Sequence, residues 1–235
     1  GQVFLDVTSS DGSARLGGVM HAARAVAALE EPFHCLYITP DYLDAVVNAR
    51  VADLGGTSHR IGSVVGAPNV FLVADKKEVG DQGYVSLLGD SQQISLDTGG
   101  IGEHLASLGA AEALVFPDPP YAEELLESFL SLGLSVTVDG GVPLAVLRRL
   151  QARGHQLDCL MVSTSHDAFR DDYAGGPERL RAEALPSLTR SVLLKENRGG
   201  CRYLGEHGLL DIPAQVRPIS HSIGVGDCFS ASFLI

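Results

Sequence analysis

"SIGVGDCFSASFLI", residues 222–235, places two glycines around one valine, an aspartate directly after them, and then a helix-like run of small and apolar residues. Gly224-Val225-Gly226-Asp227 reads as the turn that opens a helix. The first N–H groups of a helix have no partner within it, and the helix dipole favours negative charge there. Glycines let the backbone approach a ligand closely. Together these features make a site for an anion such as a transferring phosphoryl group. Asp227, in the first turn, is placed to accept a proton from an attacking hydroxyl while neighbouring N–H groups hold the developing charge. The same four residues alone also read as a turn with an aspartate cap. They form neither a GxxxxGK[ST] phosphate loop nor a dinucleotide fingerprint, since the third glycine is missing and no βαβ unit follows.

Upstream, short apolar runs alternate with amphipathic stretches. Residues 2–7, 33–38, 112–116, 134–138, 158–163 and 191–195 read as buried strands, nearly continuous in apolar character as a sheet covered on both faces requires. Helices are predicted over 18–29, 41–54, 119–132, 143–153 and 177–189. Asp118-Pro119-Pro120 puts a capping carboxylate and helix-starting prolines before one helix, and Gly133 closes it. This order predicts a doubly wound, mostly parallel α/β sheet flanked by helices, in one domain over residues 1–235. Residues 57–97 alternate polar and apolar with glycine turns, which predicts two or three antiparallel strands; with 8–16 they would form a small β lid. In such sheets ligands bind beyond the carboxyl ends of the strands. That singles out Asp6, Asp118, Asp139, Ser163 to Asp167, Lys195 to Arg198 and the terminal glycine turn.

Composition limits the function. The chain has 235 residues, 45 % of them hydrophobic, and a net charge of −12. Its lysines are Lys76, Lys77 and Lys195, with no basic tract, which argues against nucleic-acid binding. Cys35, Cys159, Cys201 and Cys228 show no CxxC or zinc spacing and read as reduced thiols. No apolar run has the length of a membrane span. "GQVFLDV" begins as a strand, without a visible signal peptide, so a cytoplasmic protein is expected.

The arrangement resembles the ribokinase-like (PfkB-type) carbohydrate and nucleoside kinases. The family signature D-T-x-G-A-G-D-x-F is matched by His221-Ser222-Ile223-Gly224-Val225-Gly226-Asp227-Cys228-Phe229, with His221 for the leading Asp and Val225 for the central Ala. The family's N-terminal di-glycine is similar to Gly17-Gly18-Val19-Met20-His21-Ala22-Ala23-Arg24-Ala25, with Ala22 where an Asn is usual. Asp6 matches an acid at the end of the first strand, and Asp118 one after a middle strand. Thr164-Ser165-His166-Asp167 is an altered form of the N-x-x-E element, and "LKENRGG" stands at the nucleotide loop. The family usually continues past the terminal motif, so further chain is expected after Ile235.

The resemblance implies transfer of the γ-phosphoryl group of ATP to an alcohol on a sugar or nucleoside. Asp227 would be the base, and the amides of Gly224, Val225 and Gly226 would stabilise the phosphoryl oxygens. Asp6, Gly17, Gly18 and Asp118 would bind substrate. Lys195, Asn197 and Gly200 would lie along the nucleotide, with Asp167 a distant partner of Mg2+. The lid would exclude water, and its strand edges invite a homodimer. His21 and His221 read as packing or polar neighbours rather than catalysts. The departures from the motifs also permit a non-catalytic sugar- or nucleoside-binding relative. An NAD-type oxidoreductase is disfavoured, because no GxGxxG follows residues 2–7.

Overall fold

The computed structural model describes residues 1–8, 12–66, 68, 70–73, 84–86, 93–118, 121–164, 169, 177–196, 199–215 and 224–235. The chain divides into two compact units, Gly1–His104 with Ile219–Ile235, and Leu105–Pro218.

The first unit holds two sheets, one of four strands and one of three. In the former, β1 (Val3–Thr8) pairs antiparallel with β2 (Ala14–Gly18) and parallel with β5 (Val70–Val73), which pairs antiparallel with β6 (Tyr84–Ser86). In the latter, β3 (His34–Thr39) runs parallel to β4 (Thr57–Val65), and β7 (Gln93–Leu96) runs antiparallel to β4. Gln2 bridges Ile38 in parallel, joining the start of β1 to β3. Among the described residues its helices are α1 (Val19–Ala28), α2 (Asp44–Asp53, after a 3-10 turn at Asp41–Leu43), α7 (Val225–Leu234) and the start of α3 (Thr98–Leu108), whose residues from Leu105 on are counted in the second unit. Val3, Leu16, Met20, Cys35, Tyr37, Val47 and Val51 form a core cluster shared by β1, β2, β3, α1 and α2. Burying each large apolar side chain there contributes about 1.5–3 kcal/mol.

The stretch 57–97 departs from its expected pattern. It holds the four strands β4 to β7 in two different sheets, and β4 and β5 are parallel to β3 and β1. The helical crossover through α2 is what allows β3 and β4 to run in the same direction. Helix α3 was not expected either, because Gly99, Gly100 and Gly102 hide its propensity. It starts where the Gly100 N–H donates to Asp97 Oδ1 at 2.9 Å, an N-cap bond, and Ile101 and Leu105 bury its inner face.

The second unit is a six-stranded sheet in the order β13-β12-β11-β10-β9-β8. β8 (Glu112–Val115), β9 (Ser135–Asp139), β10 (Leu157–Ser163) and β11 (Thr189–Lys195) are parallel. The hairpin β12 (Cys201–Gly205) and β13 (Gly208–Ile212) closes the sheet antiparallel and lies outside the expected strands. Helices α4 (Ala122–Ser131), α5 (Leu144–Ala152) and α6 (Pro177–Ala184) fill the crossovers. Each crossover steps to the next strand in order, so right-handed connections lay the three helices along one face. Ion pairs agree with this: Arg149 and Arg153 of α5 and its end reach Glu123 and Glu127 of α4, and Arg148 reaches Glu183 of α6. α6 stops well short of residue 189, because the residue before Pro186 is disfavoured in helix and proline supplies no N–H. Val136, Val138, Leu160, Met161, Val162, Val192, Leu193 and Leu194 are all buried, which accounts for the unbroken apolar runs in these strands. The expected α/β architecture of mostly parallel strands with flanking helices is the one the chain adopts. Among the described residues no helix is long and apolar enough to cross a membrane.

Candidate active site

The first unit brings together β1, β2 and the N-termini of α1 and α7. The two adjacent glycines between β2 and α1 have separate causes. At Gly17 a Cβ would lie 2.4 Å from Asp6 Oδ2, so the absent side chain is the space the carboxylate fills. Gly18 is the N-cap residue of α1 with φ 61°, and a Cβ there would lie 2.3 Å from the Gln2 carbonyl oxygen.

Asp6 is buried, with 4 % of its surface exposed, and it is not alone. His21 Nε2 lies 2.9 Å from Asp6 Oδ2, and the Arg15 Nε lies 3.9 Å from the same oxygen. Arg24 Nη1 lies 3.1 Å from His21 Nδ1, and Arg24 Nη2 donates to the Leu16 carbonyl at 2.6 Å. An arginine only donates, so Nδ1 accepts and the ring carries its proton on Nε2, which donates to Asp6. Burial lowers the Arg24 pKa and the charges of Arg15 and Arg50 lower it further, while Asp6 and Cys228 oppose them. The guanidinium stays charged throughout the physiological range.

Helix α7 meets this chain at its first residue. Gly224 is its N-cap, with φ 77° and ψ 0°, and accepts the first helical bond from the Cys228 N–H at 2.9 Å. A Cβ on Gly224 would lie 2.3 Å from His21 Cγ and 2.4 Å from Nδ1, so the backbone rests on the imidazole ring. The Cys228 thiol donates to the His21 carbonyl at 3.5 Å, a second tie between the helices. Burial raises the Cys228 pKa and the Asp227 charge raises it further, which keeps that thiol protonated and able to donate. Buried Ala22 and Ala23 on α1, and Ser230 and Ala231 on α7, keep both helices slim where they pack. Val225, Gly226 and Asp227 form the first turn, whose N–H groups have no acceptor within the helix. Val225 and Gly226 are exposed and Asp227 is half-buried, so the turn is open to a ligand. Chemically this is an amide cradle for an anion, with a carboxylate beside it.

No family model and no curated protein matches the sequence. Solved structures do match. A nucleoside kinase from Burkholderia thailandensis, in complex with inosine, superposes with a TM-score of 0.67 at 14 % identity, over 99 % of this chain and 79 % of that one. The ribokinase of Thermotoga maritima superposes with a TM-score of 0.66 at 17 % identity, over 99 % of this chain and 81 % of that one. The chain has the ribokinase-like fold. A protein described as a ribokinase II from Escherichia coli, in complex with ATP and Mg2+, gives a TM-score of 0.69 at 15 % identity, over 100 % of this chain and 83 % of that one.

Of the residues singled out in the sequence of this ribokinase-like chain, Asp6, Gly17, Gly18, Gly224, Val225, Gly226 and Asp227 belong to the first unit. Asp118, Lys195 and Gly200 belong to the second unit, and Asp167 and Asn197 lie outside the described residues. Asp118 does not cap α4 with its side chain; its carboxylate accepts from the Tyr121 hydroxyl at 2.7 Å, and Tyr121 is the N-cap residue. Burial raises the Asp118 pKa, and the Tyr121 bond opposes that. Lys195 Nζ donates to both oxygens of Asp139, at 2.6 and 2.7 Å, in a pair 15 % and 6 % exposed at the side chains. Gly200 is explained by packing: a Cβ there would lie 2.1 Å from the Ile212 carbonyl oxygen. His21, expected as a packing or polar neighbour, is bonded to Asp6 and to Arg24, which no motif marks. The available signal was their spacing of three residues on α1, one helical turn, directly after the glycines. The four cysteines are free thiols, as expected.

Proposed function

We propose that this protein is an ATP-dependent kinase acting on a hydroxyl of a sugar or nucleoside. The observation that carries this reading is the left-handed Gly224 at the head of α7, followed by an open amide turn and Asp227. The Asp227 carboxylate takes the proton of the acceptor hydroxyl. The freed oxygen forms a bond to the γ-phosphorus as the bond from that phosphorus to the β,γ-bridging oxygen breaks, and ADP leaves. The amides of Val225 and Gly226 and the Gly224 backbone hold the equatorial oxygens as their charge shifts. Gly17 and Gly18 line the acceptor's position with Asp6. Asp118, Lys195, Asn197 and Gly200 are assigned to substrate and nucleotide by the family resemblance, and Asp167 to Mg2+. Among the described residues no group of three or more His, Cys, Asp or Glu could hold a metal ion, and Asp167 lies outside them. Residues 8–16 and 57–97 are proposed as a lid whose strand edges are the surface for a homodimer, which gel filtration against concentration tests.

ATP-dependent phosphorylation across a panel of sugars and nucleosides tests the activity. Asp227→Asn removes the base and lowers kcat by roughly 10²–10⁴-fold with the fold intact. An equally active variant would overturn the role of Asp227.

A second reading, a binding protein of the same fold without catalysis, is favoured by one observation. Asp6 and Lys195, both assigned to ligands, are already engaged by His21 and Asp139. Calorimetry that detects a sugar or nucleoside but no ATP supports this reading over the first.

A further inference from the structure

We infer that His21 is the positioning residue of the amide cradle: its ring, held at both nitrogens, is the surface that sets the left-handed turn at Gly224 and so the direction of the amides after it. The role presupposes anion binding at this cradle.

The argument starts from rigidity. An unrestrained imidazole on a helix samples several rotamers. His21 does not have that freedom, because Asp6 holds Nε2 at 2.9 Å and Arg24 holds Nδ1 at 3.1 Å. Both partners are fixed in turn. Asp6 is 4 % exposed and pressed against Gly17, while Arg24 donates to the Leu16 carbonyl at 2.6 Å. The ring is 6 % exposed by residue, so it does not present itself to a ligand directly. What it presents is contact. Gly224 lies against it so closely that a methyl group would sit 2.3 Å from Cγ.

The turn at Gly224 has φ 77°, a conformation available to glycine at little cost and held here by what it rests on. Gly224, the N-cap residue, has no side chain with which to cap the helix it opens. The Cys228 thiol donates to the His21 carbonyl at 3.5 Å, tying the next helical turn to the same residue. One histidine therefore meets α7 twice, through its ring and through its carbonyl. Catalysis by a preorganised cradle is sensitive to small displacements, with about 10²-fold lost for a shift of about 1 Å. A residue that sets that position acts on turnover without touching the substrate.

The test compares wild type with His21→Ala, His21→Asn and Arg24→Gln. Two readouts are used: amide chemical shifts of Gly224 to Asp227, with and without inorganic phosphate, and the steady-state kinetics of the phosphorylation assay. Positioning predicts that His21→Ala moves those amide resonances before any ligand is added and weakens their response to phosphate. It also predicts that kcat falls by about 10²-fold while KM for the acceptor changes much less. His21→Asn, which keeps a donor toward Asp6, recovers part of both. Arg24→Gln shifts the same amides in the same direction by a smaller amount, and carries the test if His21→Ala does not fold. Unchanged amide shifts in folded His21→Ala and Arg24→Gln overturn the inference. A wild type that phosphorylates no acceptor overturns the kinase reading, while the amide shifts still decide the role of His21.

Discussion

Gly17 and Gly224 are two positions where one added carbon meets a group that cannot retreat. In Gly17→Ala the new methyl would lie 2.4 Å from Asp6 Oδ2, and that carboxylate is buried and bonded to His21. A loss of about 1–3 kcal/mol in urea unfolding is expected, the usual cost of overpacking. In Gly224→Ala the left-handed backbone adds about 1–2 kcal/mol to a similar clash. Substitution of exposed Gly109 or Gly133, whose surroundings are open, tests backbone strain without the clash. If Gly224→Ala costs no more than these, the contact with His21 is not tight. Gly17 therefore makes room for a carboxylate, and Gly224 for a ring; a motif records both only as the letter G.

At the scale of elements, Lys195 at the end of β11 and Asp139 at the end of β9 join strands on either side of β10. Lys195→Met strands a buried carboxylate and is expected to cost about 3–5 kcal/mol, whereas Lys195→Met with Asp139→Leu is expected to recover most of it. Thermal or urea unfolding of the three variants checks this. A single variant that unfolds like wild type, but binds ATP more weakly, would instead place Lys195 at the nucleotide. Elements of this kind explain how far the sequence could be read. The parallel strands announced themselves because burial on both faces makes them unbroken apolar runs. Helices with proline starts and glycine stops were equally clear. The pairing of β4 with β3 and of β5 with β1 was not, since alternation shows that a segment is a strand but not which strand it meets. Helix α3 was hidden by its three glycines, and its Asp97 cap acts through geometry. In the site, glycines and Asp227 stood out by their spacing. His21 and Arg24 did not, because their role comes from contacts with residues 6, 16 and 224, far apart in sequence.

For the molecule as a whole, one contribution to the response to acid comes from a column of imidazoles. His34 on β3, His59 on β4 and His104 on α3 stack with ring centroids 5.6 and 5.0 Å apart. Burial lowers the pKa of His59, and the charges of His104 and His34 lower it further. As pH falls, the unfolded chain therefore binds a proton at His59 before the folded chain does. Stability is full above the ordinary histidine range near about pH 6.5 and is lost as pH falls through it toward the lower folded value. Melting temperature is expected to decline from pH 7.5 to pH 5.5, and His59→Phe is expected to flatten part of that decline. An equal slope in both proteins would assign the acid sensitivity elsewhere.

The division of the chain sets the two helices of the cradle far apart in the order of synthesis. Residues 105–218 make one unit from a continuous stretch, while the other unit needs both the first 104 residues and the segment from residue 219 onward. The Cys228–His21 bond spans 207 positions. On a ribosome, α1 emerges early and stands without α7 until more than two hundred further peptide bonds have been made. Its slim alanine face stays bare meanwhile, and the imidazole of His21 has no Gly224 backbone against it until α7 docks.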